Sequence, residues 1–467
     1  MTSEHNDAPS PAILLASSFA FIIVQLDITI VNVALPQIGR ELGAGVTDLQ
    51  WVVDAYTLGF AVFLLSAGIL GEKFGARRIF MAGFALFTAA SLACATAPGA
   101  LMLNAARAVQ GIGAALLVPN SLAILNFAYA HDKHRLAKAI AWWTAAGGLS
   151  IAAGPVLGGA LLSLSGWRSI FWVNVPICVA GFWLTRRVVP LMPGKGRARA
   201  FDLPGQVLAI IALTGFIGAV IEVQKRGLHD ALVIAGLAAA VLAGAGFLFV
   251  EQRAVAPMLP LSLFRRASFA SAVLFGVLVN FAYYGVIFVL SLYLQKVRGM
   301  SVMQAGLTFL PLTGTFILSN VVSGWMSPRT GLRVPMIAGG VIGASGYAIL
   351  CWLGISDSAT FMQMLPGLAL IPAGMGLAVP AMTTSILGSV DKHQAGSASA
   401  VLNAARQVGG AMGVAIYGAM VAEGTPAHMM AGVRWALIAS AALLLIAATL
   451  AMRFQPRQSP AGAARPA

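Results

Sequence analysis

Hydrophobic residues in this chain run in long uninterrupted blocks, and the polar residues collect in the gaps between them. An amphipathic soluble helix would show apolar positions every three or four residues instead. Blocks of about 20 residues, enough to cross roughly 30 Å of hydrocarbon as a helix, recur fourteen times. They fall near 12–36, 50–71, 79–97, 101–127, 138–163, 168–188, 203–223, 230–251, 268–293, 303–325, 334–354, 360–387, 395–421 and 432–453. The pattern predicts an all-α integral membrane fold. An even number of spans places both termini on the same side.

Composition agrees with the pattern. Of 467 residues, 59% are apolar and only 9% charged, against about 25% charged in soluble domains. The mean hydropathy is +0.87. A net charge of +14 invites a nucleic-acid reading, but the basic residues sit in short gaps rather than on one face. They set orientation instead: with the N-terminus cytoplasmic, twenty of the 29 Lys and Arg residues fall on inner segments and seven on outer ones, the expected positive-inside bias. The first block lacks a preceding basic stretch and is too long for a leader core, so it reads as an uncleaved span. Cys94, Cys178 and Cys351 all lie in apolar runs and suggest no disulfide framework. The six histidines lie in tails or loops, so no metal site and no cofactor are expected within the membrane.

The longest internal connection, 189–202, is basic, contains Pro190, Pro193, Gly194 and Gly196, and reads as a flexible cytoplasmic linker. It divides the chain into a six-helix unit at 1–188, a linker with two inserted spans at 189–267, a second six-helix unit at 268–453 and a tail at 454–467. An internal echo supports the division. Gly68-Ile-Leu-Gly-Glu-Lys-Phe-Gly-Ala-Arg77 follows the second span, and Gly324-Trp-Met-Ser-Pro-Arg-Thr-Gly-Leu-Arg333 follows the second span of the later unit. Gly, a basic residue, Gly and Arg recur at the same spacing. Duplicated units of this kind form midplane sites in many transporters.

Few ionisable residues fall inside spans: Asp27 in the first, Asp54 in the second, Arg107 in the fourth and Arg406 in the thirteenth, with Glu222 at an edge. A charge near the bilayer centre costs about 2.5–3.5 kcal/mol and normally faces a cavity or a partner. At 1.5 Å per residue, Asp27, Arg107 and Asp54 lie about 13, 9 and 6 Å below the outer ends of their helices and fit one layer. Two carboxylates and one guanidinium leave a surplus negative charge that favours uptake of one proton. A carboxylate facing Arg stays ionised, and one moved into apolar surroundings takes up a proton. Asp27 is therefore the expected proton carrier, Arg107 its tuning partner and Asp54 a member of the same group. Arg406 reads as structural, a long side chain finding backbone carbonyls, and Glu222 as within reach of water.

Small residues mark close approaches. The fifth span carries Gly147, Gly148, Gly154, Pro155, Gly158 and Gly159, which allow backbones to pack closely, while Pro155 removes a helical hydrogen bond. A bend or close-contact hinge is expected there. In the ninth span Asn280, Tyr283 and Tyr284 fall at helical spacing and offer aromatic faces with polar tips, a candidate substrate cavity; interface anchoring is the alternative.

These segments resemble the major facilitator superfamily, in particular its fourteen-helix drug/proton antiporter branch. Leu26-Asp-Ile-Thr-Ile-Val-Asn-Val-Ala-Leu-Pro36 looks like that branch's first-helix signature. Gly68 to Arg78 looks like the superfamily's cytoplasmic gating loop, formed here by Gly68, Glu72, Lys73, Gly75, Arg77 and Arg78, with Glu72 where Asp is usual and Lys73 where Arg is common. Arg107-Ala-Val-Gln-Gly-Ile-Gly113 is similar to the fourth-helix motif, whose Arg is implicated in proton transfer. Gly154-Pro-Val-Leu-Gly-Gly159 is similar to the antiporter motif, which implies export. Trp167-Arg-Ser-Ile-Phe-Trp-Val-Asn-Val-Pro176 and Phe201-Asp-Leu-Pro-Gly205 add branch-specific matches.

The resemblance implies a fold of two six-helix bundles plus two inserted helices, and rocker-switch export of drug-like or antibiotic-like compounds driven by the proton gradient. Export or import of an endogenous metabolite, such as an amino acid, siderophore or lipid, stays open as the alternative. An enzyme would show clustered His, Asp or Glu at an interface or a large loop, and neither occurs. The expected partners are a small-molecule substrate, protons and the lipid bilayer of the cell membrane, with no nucleic acid. The expected functional unit is a single chain.

Overall fold

The computed structural model describes residues 11–129, 133–192, 202–254, 257, 259, 261–356, 358–390, 395–422 and 425–456. Most of the linker expected at 189–202 lies outside the described residues. Among those described there is no strand, and the regular elements are all helices. Among the described residues eleven helices are long and apolar enough to cross a membrane, or thirteen when two bent pairs each count as one span. The thirteenth block, 395–421, is helical but outside that set, its first half carrying Ser397, Ser399, Asn403, Arg406 and Gln407.

The chain forms two compact units. The first comprises Met1–Met258 and Leu294–Leu307. It holds α1 (Pro11–Leu42), α2 (Val46–Phe74), α3 (Ala76–Ala95), α4 (Ala100–Ala128), α5 (Lys133–Ser165), α6 (Ser169–Trp172), α7 (Asn174–Val188), α8 (Leu203–Arg226) and α9 (Ala231–Arg253). The sixth predicted span is thus split into α6 and α7. Pro176 has no N–H to give the Trp172 carbonyl four residues back, so the helix is interrupted there. Aromatic residues of α3 fill this unit's core: Phe80, Phe84 and Phe87 are fully buried among Leu117, Leu125 and Cys178.

Two helices of this unit bend. α2 turns by 50° between Leu64 and Ser66, and α5 by 43° between Ile151 and Ala153, just before Gly154 and Pro155. At the α2 bend the buried Gln206 of α8 donates to the Val62 carbonyl at 2.9 Å and accepts from the Ser66 hydroxyl. Asp202 caps α8 by accepting from Gly205 N–H at 2.9 Å. The Asp202–Gly205 segment thus opens a helix whose next residue braces α2. Glu222 is paired with Arg226 one turn on, at 2.9 Å near the surface, a contact of about 0.3–0.5 kcal/mol.

The second unit comprises Leu259–Tyr293 and Thr308–Ala467. Its helices are α10 (Ala267–Lys296, whose last residues fall in the first unit together with most of α11, Val302–Thr308), α12 (Leu310–Thr330), α13 (Arg333–Ile349), α14 (Phe361–Gly388), α15 (Ala395–Met420) and α16 (Pro426–Phe454). The tenth predicted span is interrupted at Phe309, where Pro311 opens α12. α13 and α14 cross with Gly339, Gly343 and Gly374 at the contact; a Cβ on Gly374 would sit 2.5 Å from the Gly343 nitrogen. Gln455 at the end of α16 accepts from Ser385 of α14 at 2.5 Å and donates to Ser271 and the Ser268 carbonyl of α10 at 3.0 and 2.8 Å.

The sequence echo has a structural counterpart within each unit. Gly75 links α2 to α3 with φ +94°, and Gly331 links α12 to α13 with φ +79°. Their N–H groups close the preceding helices on Gly71 and Ser327 at 2.9 and 3.0 Å. Only glycine adopts such backbone without strain.

Candidate functional site

The site is set by how closely α4 lies on its neighbours. A Cβ on Gly111 would run into the Tyr56 carbonyl of α2, and one on Gly113 would come within 2.9 Å of the Phe87 nitrogen of α3. With backbones this close, polar side chains one turn away on α4 reach both neighbours. Arg107 Nε donates to the Val52 carbonyl of α2 at 2.9 Å, and Gln110 Nε2 donates to Ser91 Oγ of α3 at 2.8 Å.

Both residues converge on Asp27 of α1. Arg107 Nη1 meets Asp27 Oδ2 at 2.5 Å, and the two side chains are 1% and 0% exposed. Gln110 Nε2 donates to Asp27 Oδ1 at 2.9 Å, and Asn174 Nδ2, from the first residue of α7, donates to the same oxygen at 3.0 Å. Asn174 also reaches Ser91 Oγ at 3.3 Å, and Gln110 Oε1 accepts from Arg107 Nη1 at 2.7 Å. The guanidinium lies over the Tyr56 ring at 4.3 Å from its centroid and 5.9 Å from that of Phe171. The result is a closed polar network on five helices inside an apolar bundle. Every group aimed at Asp27 is a donor, the environment of an ionised carboxylate.

Asp54, expected in the same layer, is fully buried on α2, and neither of its oxygens has a hydrogen-bond partner among the described residues. The structure therefore joins two of the three expected coupling residues directly and leaves Asp54 outside their network.

The end of the unit that carries Glu41 is tied separately. Glu41 of α1 accepts from Trp167 Nε1 at 2.9 Å and pairs with Arg168 at 3.4 Å, while Arg168 also donates to the Ala97 carbonyl at 3.2 Å. On the expected gating loop, Arg77 donates to the Arg186 carbonyl at the end of α7 at 2.6 Å. Glu72, Lys73 and Arg78 are exposed, Lys73 lying over the Phe74 ring, and Gly68 has open space around it. On α5, Gly154 and Gly158 pack against Thr29 and Ile30 of α1, while Gly159 meets Met303 of α11, whose Gly306 lies 2.5 Å, at an added Cβ, from the Pro155 carbonyl.

The candidate cavity residues sit in the second unit. Asn280 is buried with its amide on the Gly276 carbonyl of its own helix at 2.7 Å. The Tyr283 and Tyr284 rings are T-shaped at 5.4 Å. Arg406 of α15 stands near enough for its charge to act on Tyr284. Among the described residues no group of three His, Cys, Asp or Glu residues could hold a metal ion.

The family model of the Major Facilitator Superfamily matches residues 17–414. The chain belongs to this superfamily. Among the facilitator's relatives, the multidrug resistance protein Stp of Mycobacterium tuberculosis is 38% identical over 409 residues, 88% of this chain and 75% of that protein. The methylenomycin A resistance protein of Bacillus subtilis is 34% identical over 452 residues, 97% of this chain and 96% of that one. A solved peptide transporter, POT in complex with sulfate, shares the fold with a TM-score of 0.72 at 15% identity, covering 95% of this chain and 94% of that one. This facilitator is accordingly a multi-pass membrane protein.

Sequence reading of the facilitator missed Ser91, Gln110, Asn174 and Tyr56 as members of the Asp27 network. Gln110 and Asn174 did stand inside segments carrying the family resemblance, Arg107–Gly113 and Trp167–Pro176. Ser91 carried no signal, being one of many small polar residues in the spans.

Proposed function

We propose that the protein is a proton-coupled antiporter that exports small hydrophobic or drug-like compounds across the cell membrane by alternating access. The observation that carries this reading is the fully buried Asp27–Arg107 pair. An ion pair in lipid surroundings is retained at a cost in desolvation, and separating it leaves an uncompensated charge worth about 3–5 kcal/mol. Proton uptake by Asp27 neutralises the carboxylate and so removes the attraction that holds Arg107 to it, leaving the guanidinium free to move toward another partner or water. Each charge moving inward gains about 2.3 kcal/mol per 100 mV, comparable to a large part of the separation cost. Resistance and multidrug resistance proteins among the relatives support export of drug-like cargo.

In this reading both termini are cytoplasmic, two six-helix bundles flank the inserted α8 and α9, and α5 is the helix that moves against α1. The Gly68–Arg78 loop gates the cytoplasmic side, Asp54 serves the coupling group, and Asn280, Tyr283 and Tyr284 line the cargo path. The test is efflux of ethidium from energised cells with and without a protonophore. Wild-type efflux should stop with the protonophore, Asp27→Asn should lose efflux and Asp27→Glu should keep part of it. Protonophore-insensitive efflux overturns the coupling.

A further inference from the structure

The two amides that donate to Asp27 are held differently. Gln110 is fixed at both ends: its Oε1 accepts from Arg107 Nη1 at 2.7 Å, and its Nε2 serves Asp27 and Ser91 at 2.9 and 2.8 Å. Turned over, it would press its NH2 against the guanidinium. Asn174 is fixed at one end only. Its Nδ2 serves Asp27 and Ser91 at 3.0 and 3.3 Å, whereas its Oδ1 is buried with no hydrogen-bond partner. Inverting this amide forfeits no bond on the oxygen side, and the Ser91 hydroxyl, able to accept or donate, can follow it.

A carboxylate and a carboxylic acid make opposite demands on such a neighbour. The anion accepts only; the acid carries an O–H that must find an acceptor or remain unsatisfied in the bundle interior. Gln110 Oε1 already accepts from Arg107 and lies 3.7 Å from Cys94 Sγ. Asn174 Oδ1 is the unengaged acceptor within the network.

We propose that Asn174 is the positioning residue for proton binding at Asp27, donating to the carboxylate and, with its amide inverted, accepting from the carboxylic acid. The inference rests on the proposed role of Asp27 in proton coupling. The other titratable groups around Asp27 are Arg107 on α4, Cys94 on α3, Cys178 on α7 and, against the guanidinium, Tyr56 on α2, while the buried Asp54 of α2 stands outside the network. α6 has no titratable side chain, and those of α5 all lie in its first two turns. None of them offers both a donor and a free acceptor to the carboxyl group. Asn174 does.

The experiment is pH-difference infrared spectroscopy of the full chain in liposomes, which needs no substrate. The band of protonated Asp27 is assigned by its absence in Asp27→Asn. In Asn174→Leu the donor to the anion is lost, so half-protonation should move to higher pH by about one unit. The acid also loses its acceptor, so its carbonyl stretch should move to higher wavenumber. Near-isosteric Asn174→Asp keeps an acceptor but adds a second titrating carboxyl, whose own band is identified in the double variant Asp27→Asn, Asn174→Asp; the Asp27 midpoint should rise by like-charge repulsion, and its band should not move to higher wavenumber. A raised midpoint with an unmoved band in Asn174→Leu overturns the inverted amide. Wild-type and Asn174 variants that superimpose in both readouts, whatever their melting temperatures, overturn the inference while leaving proton coupling intact. A wild-type chain with no titrating Asp27 band overturns the coupling reading itself, and this inference with it.

Discussion

Gly154 of α5 lies so close to Thr29 of α1 that an added methyl group would overlap the Thr29 hydroxyl. Thr29 spends that hydroxyl on the Gln25 and Leu26 carbonyls, both at 3.1 Å, and stands two residues from Asp27. The small residues of the α5 motif thus hold a helix backbone against the helix that carries the proton-binding candidate.

Overpacking this contact should be costly. Gly154→Leu is expected to destabilise the protein by about 1–3 kcal/mol, read as a lower melting temperature of the detergent-purified chain. Gly154→Ala should be milder, and Thr29→Ala in the same chain, which removes the nearest obstructing atom, should recover part of the loss.

The Asp27–Arg107 pair should behave as a unit. Asp27→Ala and Arg107→Ala each leave a buried charge and should each destabilise by about 3–5 kcal/mol. The double variant removes both charges and should cost clearly less than the two single losses combined. Thermal unfolding of the four proteins closes the cycle; additive losses would mean that the two side chains do not share their charge.

The repeated loop separates glycines that the backbone requires from one that it does not. Gly75 and Gly331 have φ of +94° and +79°, so Gly75→Ala and Gly331→Ala should each lose about 1–3 kcal/mol. Gly68 has nothing within 4 Å of an added Cβ, and Gly68→Ala should retain wild-type stability although it opens the same motif. Melting temperatures of the three variants check this order.

Much of the fold was legible because lipid imposes a length rule: apolar blocks long enough to span became helices, including α8 and α9, separated by only a few residues. What the blocks concealed were the discontinuities. The interruptions at Val173 and Phe309 follow from Pro176 and Pro311, single residues whose missing N–H changes the backbone but not the hydropathy. The bend in α2 has no proline; Gln206 of another helix sits at it, a relationship no local pattern encodes. At the site, Asp27 and Arg107 stood out because a charge within an apolar run has few explanations. Ser91 and Asn174 did not, since neutral polar residues are common in spans and gain meaning only when three helices bring them to one carboxylate.

The most direct test of the account is proton movement during transport by the purified protein in liposomes, with ethidium as cargo and an internal pH dye as the second readout. The account predicts that in wild type ethidium movement drives protons the opposite way, and that Asp27→Asn abolishes this proton flux. Proton flux in Asp27→Asn equal to wild type, or ethidium transport in wild type with no accompanying proton movement, would contradict it.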